Sequence, residues 1–141
     1  MSNTQENLGS AFAGESQASR RYLFFAEKAE KEGQPQIARL FRAAAEAETV
    51  HARNHLEAMG GIGSTKDNLG AAISGENYEF TEMYPGFIEQ AEAENNSNAQ
   101  TTFDWANKVE KIHHRLYQKA LEDLEAGKQF KDETYFVCQG C

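Results

Sequence analysis

Residues 45–52 read Ala-Glu-Ala-Glu-Thr-Val-His-Ala, and residues 107–114 read Asn-Lys-Val-Glu-Lys-Ile-His-His. Glu48-x-x-His51 thus recurs as Glu110-x-x-His113, at an offset of 62 residues (48 to 110). A separation of three puts carboxylate and imidazole one turn apart on the same helix face, where both can reach one ion. The same offset aligns Tyr22 with Tyr84, Phe25 with Phe87, Glu32 with Glu94, Phe41 with Phe103, Ala44 with Ala106 and Arg53 with Arg115. Two similar helical hairpins therefore make up the chain. Each alone leaves an apolar stripe bare, so they are expected to pack on one another.

Punctuation places the helix ends. Asn3-x-x-Glu6 has the form of a capping box, and the first helix runs to about Glu32, before Gly33. Pro35 falls near the first position of the second helix, where its missing N–H costs nothing, and that helix continues to about Met59. After Gly60, Gly61 and Gly63, Ser64-x-x-Asp67 caps a third helix that fades by Asn95. Pro85 removes a backbone bond and crowds the carbonyl of Thr81, so a kink is expected there. The fourth helix ends near Gly127. An extended tail follows, with Tyr135-Phe136-Val137 leading into Cys138 and Cys141.

The 3-and-4 spacing of the buried stripes shows where the charges fall. The stripes are Leu8, Ala11, Glu15, Ala18, Tyr22, Phe25; then Ile37, Phe41, Ala44, Glu48, His51, His55; then Leu69, Ala72, Glu76, Glu79, Met83, Phe87; then Phe103, Ala106, Glu110, His113, Tyr117. Each is apolar except near its middle, where it carries at least one glutamate. Stripping a carboxylate of water costs several kcal/mol, so buried glutamates require a partner. The stripes contain no Lys or Arg, and metal ions are the natural supplier of positive charge. Carboxylate and imidazole donors suit iron, manganese and zinc alike. His55 is expected as a hydrogen-bonded core or end residue, His114 as exposed, and Trp105 with Phe103 as core.

Composition agrees with a single helical domain. The chain has 141 residues, 40% of them hydrophobic, with nine Phe and five Tyr. No apolar run approaches the roughly 18–20 residues of a membrane span, and no signal segment opens the chain, so a soluble cytoplasmic protein is expected. A net charge of −8 argues against nucleic acid as a partner. Two cysteines at the chain's end are no disulfide framework.

At these residues the sequence resembles the rubrerythrins, non-haem di-iron peroxidases with a ferritin-like fold. The resemblance covers essentially the whole chain. It rests on AGESQASRRY around Glu15, AEAETVHA around Glu48 and His51, GENYEFTEMYPGF around Glu76 and Glu79, and VEKIHH around Glu110 and His113. A glutamate from each of two helices with Glu-x-x-His from the other two is the known ligand pattern of ferritin-like di-iron proteins, which this sequence matches. The resemblance implies an all-α ferritin-like four-helix bundle over residues 1–127 that holds two iron ions. It also implies that Glu48 and Glu110 bridge the irons, that Glu15 binds one, and that Glu76 with His113 binds the other. Glu79 and His51 would be exchanging ligands, with Tyr22 and Tyr84 close by. The implied reaction is reduction of hydrogen peroxide to water in oxidative-stress defence. Carboxylate chemistry adds the expectation that a displaced Glu79 relays a proton to the leaving oxygen.

Two features depart from the family pattern. Residues 128–141 carry only the first Cys-x-x-Cys knuckle of a rubredoxin domain, whose iron needs four thiolates. A shortened version of a longer protein, a Cys138–Cys141 disulfide and a site shared between chains all remain open. Electrons are then expected from an external donor such as rubredoxin. The link from about Met59 to Thr65 is also short. If the second and third helices run parallel, the chain must traverse about 30 Å, and seven extended residues reach at most ~25 Å. Either the bundle is simple up-and-down, or the hairpins exchange between two chains in an intertwined homodimer. Two other functions compete with the peroxidase: a ferroxidase or oxidase, and a non-catalytic iron-binding bundle.

Overall fold

A computed structural model of the chain describes residues 3–140, so Cys141 lies outside the described residues. The elements are α1 (Asn3–Lys31), α2 (Pro35–Ala58), α3 (Thr65–Tyr78), a π-helical turn (Glu79–Met83), α4 (Tyr84–Ala93) and α5 (Ser97–Glu125). The third helix of the sequence reading is the continuous run from α3 through the π turn into α4. The fold is all-α, and no strand occurs among the described residues. Among the described residues no helix is long and apolar enough to cross a membrane. Residues up to Ile62 form one compact unit and those from Gly63 onward another, which divides the chain at the two repeats.

The first unit is the α1–α2 hairpin. Gly33 sits at φ +74°, and the turn closes through Gly33 N–H to the Glu30 carbonyl and Gln34 N–H to the Ala29 carbonyl. Pro35 then opens α2. The helices meet along small residues. Ala26, Ala29, Ala38, Ala45 and Ala52 are buried, and the Ser19 and Thr49 hydroxyls share a 2.9 Å hydrogen bond across the pair. Thr49, itself exposed, also donates to its own helix at the Ala45 carbonyl, so the buried Ser19 hydroxyl has an anchored partner.

The second unit repeats the design with different residues. Asn95, at φ +58°, stands where the first hairpin has Gly33, because asparagine is the side chain that best tolerates the left-handed region. Its N–H bonds to the Glu92 carbonyl and that of Asn96 to the Ala91 carbonyl, at the same two positions as in the first turn. The Ser64–Asp67 capping box is formed in both directions, and Asn96 caps α5 through Ala99 N–H. Each unit holds an aromatic triad beside its turn. The centroids of Tyr22, Phe25 and Phe41 lie 5.5–6.3 Å apart, and those of Tyr84, Phe87 and Phe103 also lie 5.5–6.3 Å apart.

The hairpins differ at one point. Glu15 and Tyr22 are seven positions apart, whereas Glu76 and Tyr84 are eight apart, so the second hairpin carries one extra residue. The π turn absorbs it: the Tyr84 N–H bonds to the Glu79 carbonyl, one residue further back than in an α-helix. The expected disturbance at Pro85 is therefore a widened turn that precedes the proline. Beyond α5, residues 128–140 form neither helix nor strand. Lys128 ties the start of this tail back to Asp123 at 2.7 Å.

Candidate metal centres

Each hairpin gathers three donors. In the first, Glu15 from α1 meets Glu48 and His51 from α2, with one donor atom from each lying within 4.8 Å of the others. His51 Nδ1 is 2.8 Å from Glu48 Oε2 and 3.9 Å from Glu15 Oε1. In the second, Glu76 from α3 meets Glu110 and His113 from α5. His113 Nδ1 is 2.6 Å from Glu110 Oε2 and 3.6 Å from Glu76 Oε1. The i, i+3 spacing on α2 and α5 supplies two donors of each set, and the facing helix supplies the third.

The second set is the more enclosed, since all three of its residues are half-buried, whereas His51 is exposed. Burial pushes the Glu76 carboxyl above its ordinary value. The adjacent Glu110 adds to that shift, and His113 opposes it. Glu76 Oε2 is buried without a hydrogen-bond partner. An orphaned, desolvated carboxylate oxygen beside a second carboxylate is an electrostatic deficit that a divalent cation removes. The oxygen and nitrogen donors of both sets fit iron.

Six of the seven expected metal residues therefore fall into these two triples. Glu79 belongs to neither; it is half-buried at the head of the π turn, and its charge is felt at Tyr84. Burial pushes the Tyr84 phenol up, and the carboxylates of Glu110, Glu79 and Glu76 push it further. Tyr22 packs on Phe25 and Phe41. The structure departs from the sequence reading at the stripe residues Phe25, Ile37 and Phe87, which are 45–47% exposed, and at His114 and Trp105. His114 is half-buried, with Phe80 edge-on at 5.4 Å, because the π turn brings Phe80 over α5. Trp105 is 45% exposed, since it lies two residues, or about 200° of helix rotation, from the packed Phe103.

Sequence reasoning missed Asn107. Its Oδ1 is buried without a partner, one turn before Glu110. The available signal was the repeat itself, which sets Asn107 opposite Ala45, a buried alanine.

The chain is similar to known proteins of one family. The profile of the family described as rubrerythrin matches residues 6–121. A rubrerythrin of Porphyromonas gingivalis is 41% identical, over 99% of this chain and 78% of that protein. Rubrerythrin-2 of Clostridium acetobutylicum is 38% identical, over 98% of this chain and 83% of that one. A solved structure of nigerythrin in its fully reduced, all-ferrous state is 36% identical over 89% of this chain and 69% of its own, with a TM-score of 0.46.

Proposed function

The chain belongs to the rubrerythrin family, and on that premise we propose that it is a di-iron peroxidase. It reduces hydrogen peroxide to water in oxidative-stress defence, with electrons from a separate rubredoxin-like donor. The observation that carries this reading is the pair of repeat-related donor triples, one of which holds the orphaned Glu76 oxygen. In this reading Glu48 and Glu110 would help hold both irons, Glu15 one of them, and Glu76 with His113 the other. Glu79 and His51 are alternative ligands.

Bound iron would supply the redox chemistry, two one-electron equivalents for each peroxide. The overall balance is H2O2 + 2 e⁻ + 2 H⁺ → 2 H2O. The protein's own residues manage the protons. Tyr84, with its phenol pushed up, keeps its hydroxyl proton and remains a hydrogen-bond donor beside Glu110, Glu79 and Glu76. Glu79 lies outside the triple and is free to carry a proton to the departing oxygen.

We place each complete centre across two hairpins, one from each chain of an intertwined homodimer. Three features support this. Each triple supplies three of the seven expected donors, and only residues 59–64 link α2 to α3. Each hairpin also leaves an open apolar groove beside its triad, about 270 Å³ at Phe25, Ile37 and Phe41 and about 330 Å³ at Phe87, Ala99 and Phe103. Anaerobic diferrous protein mixed with hydrogen peroxide, and separately with oxygen, tests the activity. Fast oxidation by peroxide and slow oxidation by oxygen are expected; the reverse order makes the protein an oxidase. A monodisperse monomer retaining two metals excludes the exchanged dimer.

A further inference from the structure

The charges of the second hairpin are segregated. From residue 67 to residue 107 there is no Lys or Arg, while this stretch holds eight carboxylates. From residue 105 to residue 121 the signs reverse: Lys108, Lys111, Arg115 and Lys119 are all exposed, and the sole acid is the half-buried Glu110. Asp104 and Asp123 neutralise the two ends through Lys108 and Lys119. In the middle, Lys111 lies over the Phe80 ring at 6.0 Å, and Arg115 has no carboxylate partner among the described residues.

An apolar stripe runs through this basic stretch. Trp105, Val109, Ile112 and Leu116 follow 4-3-4 spacing along one side of α5, with Trp105 45%, Ile112 53% and Leu116 42% exposed. Ile112 is joined by one peptide bond to His113, a member of the second donor triple. An aromatic and aliphatic centre rimmed by arginine and lysine has the composition of a transient protein interface.

We propose that this face of α5 docks the external one-electron donor, and that the donor is a protein with an acidic surface. The proposal rests on the peroxidase reading, which requires two electrons per peroxide and hence two encounters with such a donor. In a chain of net charge −8, an acidic partner is repelled by most of the surface. A local cationic face then selects the orientation as well as the partner. That orientation brings the donor to the helix that carries Glu110 and His113.

The test uses the full-length protein and rubredoxin as the acidic probe. Binding of oxidised rubredoxin to the metal-free protein is followed by calorimetry, and reduction of the iron-loaded protein by reduced rubredoxin is followed by stopped flow. In the wild type the second-order rate constant is expected to fall about tenfold or more between low and physiological salt. The K111E/R115E variant is expected to lose a similar factor at low salt in both binding and rate. Trp105→Ser is expected to weaken binding without changing the salt dependence. Reduction by a small neutral hydroquinone should stay within about twofold of wild type for all three proteins, because it needs no docking face. A salt-independent wild-type rate overturns the proposal even if the variants fail to fold. So does unchanged rubredoxin binding in K111E/R115E. Conversion of a dimer to a monomer by K111E/R115E with rubredoxin binding intact assigns the face to a second copy, and also overturns it. If peroxide fails to oxidise the ferrous protein while rubredoxin binding is still lost on charge reversal, the peroxidase reading falls and the docking face stands.

Discussion

The backbone N–H of Tyr84 bonds to the carbonyl of Glu79, five residues back, and that widened turn marks the one place where the two hairpins differ in length. The extra residue adds about 100° of helical rotation between Glu76 and Tyr84, and the π turn returns Tyr84 to the position beside Phe103 that Tyr22 holds beside Phe41. Deleting the exposed Glu82 restores the seven-residue spacing of the first hairpin. Helix content by circular dichroism should be retained, as should metal uptake by the two triples. Peroxide turnover should fall, because Glu79 rotates away from Tyr84.

Glu79→Ala separates the carboxylate from the turn that carries it. If Glu79 relays a proton, turnover with peroxide drops about 10²-fold, the usual scale of a general acid or base. Unchanged turnover in Glu79→Ala would sink that role.

The raised Glu76 carboxyl makes stability depend on pH in a defined direction. Without metal, the native state holds this proton to higher pH than the unfolded chain does. Stability from this group is therefore intact below the ordinary carboxylate range and is lost as pH rises through that range to the raised value. Glu76→Gln removes the titration. Chelated Glu76→Gln should melt above chelated wild type at about pH 7 and alongside it at about pH 3.5. A gap of equal size at both pH values would exclude the mechanism.

Metal removal should destabilise the wild type by mass action. At a free-metal concentration about 100-fold above Kd, the native state gains roughly 2.7 kcal/mol, and chelation forfeits it. The same chelation should lower the melting temperature of Glu76→Gln less, because that variant has lost a ligand and no longer buries the orphaned oxygen.

Phe41 touches both Tyr22 and Phe25, and Phe103 touches both Tyr84 and Phe87. Both are half-buried, so Phe41→Ala and Phe103→Ala should each cost about 2–3 kcal/mol, somewhat below the range for fully buried phenylalanine. Denaturant titration checks this, and similar losses at the two sites would show that the repeat extends to energetics.

Much of this was legible in the residues alone. Gly33, Pro35 and Ser64-x-x-Asp67 placed the helix ends to within a residue or two, because each acts through its own backbone geometry. Glu48, His51, Glu110 and His113 were legible because i, i+3 spacing is a local property. The π turn was not, since a stripe read with mixed steps of three and four absorbs one inserted residue without trace. Comparing the Glu15–Tyr22 and Glu76–Tyr84 spacings would have exposed it. His114 and Trp105 were misjudged for the opposite reason. Their burial depends on where Phe80 and α4 lie against α5, which no local pattern records.

The interior of each hairpin has a consequence for how the protein comes apart. The buried apolar residues are all alanines, and among the described residues no large side chain is fully buried. Alanine lets two helices approach closely but removes little apolar area from water, so a lone hairpin has a weak driving force to fold. Phe25, Ile37 and Phe87 remain nearly half exposed for whatever packs upon them. If that is a second chain, folding and association are a single event. The denaturation midpoint would then climb with protein concentration, and a dilute chain would lose its helices along with its partner.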